Sequence, residues 1–426
     1  MTRARVLISG VTAGPPGDGL LAGHVDYPHA GVEERAYLLQ VTGWVLHRLG
    51  PPSVEVRAGR EIRARAPVDR PRPDIAKAYP QAAEADLCGF STIVNTLDLP
   101  RSFELRVEVT AVGCAPATLA VIQGARAPLP GRAAVPAPLM VTGLGRSGTS
   151  YLLLLLGSHP QVVVPPPFPY EMRVGSYWTS VLDALTRPES YLQQIATRRY
   201  GRWWWLADPG FRVEDYMALH AGRWLAGEGV DGVAGLCGER IHETCAALAA
   251  AAGKPGAGYV AEKNWPTGGG PALLRELSPC AREIVIVRDF RDVICSSLAF
   301  DARRGFAGFG RDLVASDEEY VDLMQTKAAA VAAARRRADH LVRYEDLLRD
   351  PRRTLPALFE ALGVDASDRA VEEVLTSAAA TEPARQQAHK TAADSIGRWK
   401  RDLAPALARR CQEVLGGVLA EFGYSD

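Results

Sequence analysis

The sequence predicts an all-β, sandwich-like domain over residues 1–134, then an α/β domain over 135–426 built on a P-loop-like parallel sheet flanked by helices. Three stretches carry that prediction. Phe103 to Val112, FELRVEVTAV, alternates strictly, with Phe103, Leu105, Val107, Val109 and Ala111 on one side, as a half-buried antiparallel strand does. Pro138 to Pro160, PLMVTGLGRSGTSYLLLLLGSHP, reads as a buried strand, a glycine-rich turn and a leucine-rich helix stopped by Gly157 and Pro160. Ile284 to Val287 is an unbroken β-branched run, the mark of a strand buried on both faces. Between the two domains, Ala125 to Pro138, ARAPLPGRAAVPAP, has linker composition.

Composition narrows the function. The 426 residues are 47% hydrophobic and 23% charged, ordinary globular material. Lys+Arg and Asp+Glu both number 49, so no global field draws nucleic acid or an anionic membrane, and any anion site is local. The seven cysteines are scattered, odd in number and without a CxxC, which suggests neither a zinc site nor a disulfide framework and favours a reducing cytoplasm. The N-terminus has no signal-length apolar core, and no apolar run approaches a membrane span.

In the first domain, Leu38 to Leu46, Ser53 to Arg57 and Thr118 to Gln123 are further strands, separated by Pro/Gly turns. Asp69 to Pro80 reads as a polar surface loop. His24, Asp26 and His29 fit no metal-ligand spacing and read as loop polar groups. Three roles stay open for this domain: glycan binding, assembly into a homo-oligomer, or a cover for the catalytic domain.

The loop opens the second domain. Strand, glycine-rich turn and helix N-terminus aim backbone N–H groups at a phosphate. Gly143 and Gly148 have Walker A spacing, but Thr149 stands where its lysine belongs and Ser150 follows. The fixed cation is inside the loop, at Arg146. A loop that binds phosphate and presents an arginine to a transferable group fits better than transfer from Mg·ATP.

Next, the prolines of Gln161 to Arg173, QVVVPPPFPYEMR, impose an extended path that ends at Glu171, a candidate general base or a surface glutamate. His159 is the competing base and reads as a helix cap. Gly175 to Gly258 is mostly helical and includes Arg212 to Gly227. Within it, Trp203, Trp204 and Trp205 follow three arginines, as an acceptor wall or as packing. Tyr259 to Pro266 is a strand ending in Glu262 and Lys263, the lysine being a cleft cation or half of a surface ion pair. Arg288 ends the Ile284–Val287 strand, where open α/β sheets bind ligands, and Asp292 starts a helix that carries Ser296. Arginine and hydroxyl there suit a second phosphate, or an ion pair and a cap. Asp317 to Asp339 is a helix with a solvated cationic end, and His340 to Leu347 is a strand-to-loop junction. Helices follow over Pro351 to Leu362 and Pro405 to Phe422. Between them lies a polar, mobile-looking segment, Thr381 to Asp394, then a glycine turn with cations, Ser395 to Lys400.

Taken together, GLGRSGTS, IVRDFRDVICSS, LVRYEDLLRDP and IGRWKRDL, in that order, resemble the sulfotransferases that use 3′-phosphoadenosine-5′-phosphosulfate (PAPS). The resemblance covers roughly residues 137 to 424 and implies the sulfotransferase fold, a PAPS donor and no metal. It implies that Gly145, Arg146, Ser147, Gly148, Thr149 and Ser150 hold the 5′-phosphosulfate, and that Arg288 and Ser296 hold the 3′-phosphate. Tyr344 would approach the adenine, with Ser395 and Arg398 closing over the nucleotide. An arginine in the loop is most similar to the tyrosylprotein and bacterial branches, which implies Glu171 as base, assisted by Lys263 and Arg146. EKNWP departs from the threonine–proline pair usual after that lysine. The acceptor implied is a hydroxyl of a small secondary metabolite or a glycan, with Arg173, Trp203 and Trp204 as candidate contacts. The alternatives are a P-loop small-molecule kinase, which needs the missing lysine, and a non-catalytic glycan-binding protein. The N-terminal β region resembles accessory domains of bacterial carbohydrate-modifying transferases.

Overall fold

The structure is a computed structural model. It describes residues 3–424 apart from positions 16, 18, 51, 60, 83–84, 98, 187–224, 267–269 and 382–392. The chain divides into two compact units, Met1–Gly131 with Thr179–Cys237, and Arg132–Trp178 with Gly238–Asp426.

The first unit holds two antiparallel sheets. One has the order β3-β1-β9-β8-β5-β6, and the other β2-β4-β7. The strands are β1 Val6–Ala13, β2 Leu20–Tyr27, β3 Glu33–Glu34, β4 Leu38–His47, β5 Ser53–Ala58, β6 Glu61–Pro67, β7 Gly89–Asn95, β8 Ser102–Thr110 and β9 Ala117–Arg126. In β8 the alternation holds. Phe103, Leu105, Val107 and Val109 join a core shared with Leu39, Val41 and Phe90 of the other sheet. Its outward Glu108 pairs with Arg57 of β5, beside a Glu55–Arg65 pair. Two expectations need correction here. Asp69 to Pro80 is not all loop, because Pro73–Ala78 is a helix that begins on a proline, carries Asp74 in its first turn and buries Ile75. His24 and Asp26 lie on β2, and Asp26 accepts a 2.7 Å bond from Arg72.

The second unit holds a five-stranded parallel sheet of order β11-β12-β10-β13-β14. Its strands are β10 Ala137–Thr142, β11 Val162–Val163, β12 Tyr259–Asn264, β13 Arg282–Val287 and β14 His340–Arg343. Every residue of β10 is buried, as is all of β13 after Arg282. The period-2 rule then splits β13 between two cores. Ile284 and Ile286 face one with helices Thr149–Ser158, Pro351–Leu362 and Asp368–Thr381. Val285 and Val287 face the other with helices Phe290–Arg304, Asp317–Arg335 and Pro405–Glu421. The helix after the loop is apolar all round and correspondingly buried, from Leu152 through Leu156.

Smaller differences have local causes. Gly157 lies inside its helix, and His159 is the cap. The helix carrying Ser296 begins at Phe290, not Asp292, because the Asp289 side chain accepts from the Arg291 N–H. The arginine run after Arg335 is not wholly solvated, since Arg337 bonds the buried Glu283. β14 runs straight into a helix, Tyr344–Arg349, not a loop. Of the helix expected over Arg212 to Gly227, positions 212–224 lie outside the described residues, as do Trp203, Trp204 and Trp205 and most of Thr381 to Asp394.

Candidate active site

β10 sits between β12 and β13: the chain leaves it for β11 and β12 on one side, then crosses to β13 and β14 on the other. Ligands bind parallel sheets outside the C-terminal strand ends at such a switch point. The glycine-rich loop starts there. Its backbone needs its glycines. Gly148 has φ 97°, and a Cβ on it would stand 2.3 Å from the Tyr344 ring. A Cβ on Gly145 would stand 2.4 Å from the Phe309 ring. Arg146 is left-handed as well, with φ 69°. Alternating conformations of this kind turn successive N–H groups to one side, as an anion cradle requires. The Ser147 hydroxyl is spent within the turn, donating to the Leu144 carbonyl at 2.7 Å.

A cavity of about 320 Å³ opens over the loop, lined by Gly145, Arg146, Thr149 and Ser150 on one side. Glu171, Arg173, Lys263, Asn264 and Trp265 line it from the neighbouring strand end and proline-rich segment, Phe300 and Arg303 from the helix beyond Ser296, and Phe309 from the turn after that helix. Lys263 donates to one Glu171 oxygen at 2.6 Å and Arg173 to the other at 2.7 Å. Burial alone would raise the Glu171 carboxyl, but the Lys263 and Arg173 hydrogen bonds and charges outweigh it and hold the group below the ordinary glutamate range. Lys263 is lowered by its own burial despite Glu171 beside it. The Lys263–Glu171 ion pair is therefore a feature of the cavity.

On the other side of the loop the cations gather. Arg146 donates to Ser296 at 3.2 Å and packs over the Phe300 ring. Burial, then repulsion by Arg288 and Arg303, lowers Arg146 to about 10. Arg288 donates to the Arg146 carbonyl at 3.0 Å and the Ser395 carbonyl at 2.6 Å, and lies over the Tyr344 ring. Its Nε is buried with no partner among the described residues. Tyr344 and Ser395 share a hydroxyl–hydroxyl bond of 3.2 Å. Arg398 is buried and bonds Asp402 at 2.7 Å. Arg146, Arg288, Ser296, Tyr344 and Ser395 thus form one contiguous cluster of cations, hydroxyls and an aromatic face, and the Arg398 charge acts on Arg146. A partnerless buried guanidinium nitrogen and a glycine cradle that any Cβ would fill both fit a bound phosphate ester.

His159 lies apart from the cavity. It is fully buried, with its Nε2 3.0 Å from the Asp365 carbonyl and its Nδ1 accepting from the Gln161 N–H. Burial lowers it. Among the described residues no group of three His, Cys, Asp or Glu side chains is arranged around a metal-sized space, and no helix is long and apolar enough to cross a membrane.

Sequence reasoning missed Asn264, Trp265, Phe300, Arg303 and Phe309. For two of them a signal existed, because Phe300 and Arg303 follow Ser296 by four and seven residues and share its helix face.

No curated protein matches the chain. Solved structures that match include the sulfotransferase domain of the Synechococcus PCC 7002 olefin synthase, at 18% identity and TM-score 0.40 over 70% of this chain and 97% of that one. A Mycobacterium avium sulfotransferase matches at 18% and 0.36, over 69% and 78% of the two chains. A mouse sulfotransferase complexed with PAP matches at 11% and 0.37, over 68% and 85%. The sulfotransferase family profile matches residues 138–368, which span all of the parallel sheet but the first residue of β10. The chain therefore belongs to the sulfotransferase family, transferases of the PAPS-dependent class.

Proposed function

We propose that the protein moves the sulfuryl group of PAPS to a hydroxyl of a glycan or small secondary metabolite, with Glu171 as general base. The observation that carries this reading is the Glu171 carboxylate held 2.6 Å from Lys263 in the cavity lined by the loop. Glu171 takes the acceptor proton as the acceptor oxygen forms its bond to sulfur. The bond from sulfur to the 5′-phosphate oxygen breaks, and its electron pair stays on that oxygen, leaving adenosine 3′,5′-bisphosphate (PAP). Lys263, Arg146 and the loop N–H groups stabilise the charge that develops there. A carboxylate held low is a weak base, so every hydrogen bond that Lys263 transfers to the leaving oxygen raises the proton affinity of Glu171.

Gly145 to Ser150 hold the 5′-phosphosulfate in this scheme. Arg288 and Ser296 hold the 3′-phosphate, Tyr344 contacts the adenine, and Ser395 and Arg398 close over it. Arg173, stacked over Trp265 at 5.4 Å, contacts the acceptor. The charges needed come from side chains, so the reaction proceeds without metal. The arginine in the loop supports the tyrosylprotein-like, bacterial branch. Residues 1–134 act as an accessory domain to a catalytic domain over 135–426, and the scattered cysteines support a reducing, cytoplasmic setting.

The test is calorimetry with PAP against ATP·Mg²⁺, then transfer of labelled sulfate from PAPS to a panel of glycans and phenols in EDTA. PAP binding abolished in Arg288→Ala, and transfer lost in Glu171→Gln, are expected. Preference for ATP, or full activity in Glu171→Gln, would overturn the reading.

A further inference from the structure

Asp292 lies deep beside the donor cluster, and sequence reading gave it only the start of a helix. It is fully buried. One carboxylate oxygen accepts from the Gly397 N–H at 2.7 Å and the other from the Trp399 N–H at 2.9 Å. These amides bracket Arg398, and Ser395 stands two residues before the first of them. The strap from Ser395 to Trp399 is therefore fastened by its backbone to the helix that carries Ser296. Two further features shape the fastening. Gly397 is left-handed, with φ 68°, which turns its N–H and that of Trp399 towards one acceptor. Trp399 stacks on Arg291 at 3.9 Å, and Arg291 is itself paired with Asp289.

We propose that Asp292 is a positioning residue for the donor: it latches the strap so that Ser395 and Arg398 are set against Arg288 and Ser296 before the nucleotide arrives. This rests on the donor site assigned above. The alternative, a carboxylate that only caps its own helix, does not account for two bonds to amides more than a hundred residues away. A fixed strap spares the ordering entropy that would otherwise be lost on binding.

Burial pushes the Asp292 carboxyl up to about 6, against the two amides and Arg288, with Asp289 adding to the rise. The Cys295 thiol lies one turn along the helix, with Arg398 of the strap and Asp402 of the short helix after it acting on that thiol. A protonated carboxyl accepts two N–H bonds less well than the anion, so the latch loosens as pH falls through that value.

The experiment is calorimetric titration of the full chain with PAP at pH 7.5 and pH 5.5, for wild type and Asp292→Asn. Loss of charge-assisted bonds predicts affinity about tenfold weaker or more in the variant at pH 7.5. The ratio of the two affinities should shrink towards one at pH 5.5, and protonation of PAP itself cancels from that ratio. Equal affinities at pH 7.5, or a ratio that ignores pH, would overturn the latch while leaving the donor site intact. Wild type that fails to bind PAP would overturn the donor site and the latch with it. Should Asp292→Asn not fold, hydrogen exchange on wild type decides. The Gly397 and Trp399 amides should lose protection through pH 6 relative to the Arg401 and Asp402 amides, which bond the Arg398 carbonyl. Unchanged relative protection would sink the proposal.

Discussion

The two sheet systems of this chain use their polar groups in opposite ways. In the antiparallel sheets, charged side chains stand along the strands and pair with each other across the outer face, as Glu55 does with Arg65 and Arg57 with Glu108. In the parallel sheet the strands are apolar nearly throughout, and polar groups collect beyond their C-terminal ends: the loop after β10, Lys263 and Asn264 ending β12, Arg288 after β13 and Tyr344 after β14. The first arrangement spends charge on solvation. The second concentrates it at one edge, where low-dielectric walls strengthen it. Substitutions should therefore cost stability in one region and chemistry in the other.

The largest effect should come from Glu171→Gln, which removes the base proposed above, a kind of group worth ~10²–10⁴-fold in rate. PAP affinity should barely move, and a large fall in it would break the contrast. The pH dependence follows from direction. Glu171 is lowered on folding, so its contribution to stability is complete above the ordinary glutamate range and is lost only as pH falls through the lower, folded-state value. With PAPS saturating, kcat should stay flat from about pH 7 to about pH 5. An acid limb within that window would point to another base.

Next in size is Leu105→Ala, at a fully buried position of β8. It should cost about 2–5 kcal/mol in denaturant titration, with PAP affinity of the folded protein unchanged. Gly148→Ala tests the boundary between the two kinds of effect. Its left-handed backbone costs an alanine about 1–2 kcal/mol, and the methyl group meets the Tyr344 ring. PAP affinity and thermal midpoint should fall together. The smallest change is Arg65→Ala on the outer face, below about 1 kcal/mol, with no effect on turnover.

The same contrast explains what could be read in advance. A strand such as β8 or β13 announces itself, because burial imposes a period or an unbroken apolar run. The loop announces itself because positions such as Gly148 admit no side chain. The short helix Pro73–Ala78 did not, since one buried isoleucine makes no periodicity. Trp265 and Phe309 could not be assigned either, because their places in the cavity depend on where turns deliver them. Least visible were Glu262 and Asp292. Glu262 is 3% exposed, accepts from the Gly175 and Ser176 N–H groups, and is pushed by burial up to about 7. Glu171, by contrast, is held low by Lys263 and by Arg173, the latter two residues before the first of those amides. Backbone partners leave no mark in the residue types around a carboxylate, so sequence does not distinguish one that anchors a segment from one that faces a substrate.

Arg146 carries a consequence for how the protein changes over generations. It is an arginine in a left-handed conformation, inside a loop whose other demanding position, Gly148, is glycine. Selection for foldability alone would drift that position to glycine or asparagine, which adopt the conformation more readily. An Arg146→Gly lineage would then gain in robustness while losing the sulfuryl contact proposed for this side chain. Keeping an arginine there requires continuous selection on turnover, so a relative that had abandoned catalysis would be expected to shed this residue early, before any glycine of the loop.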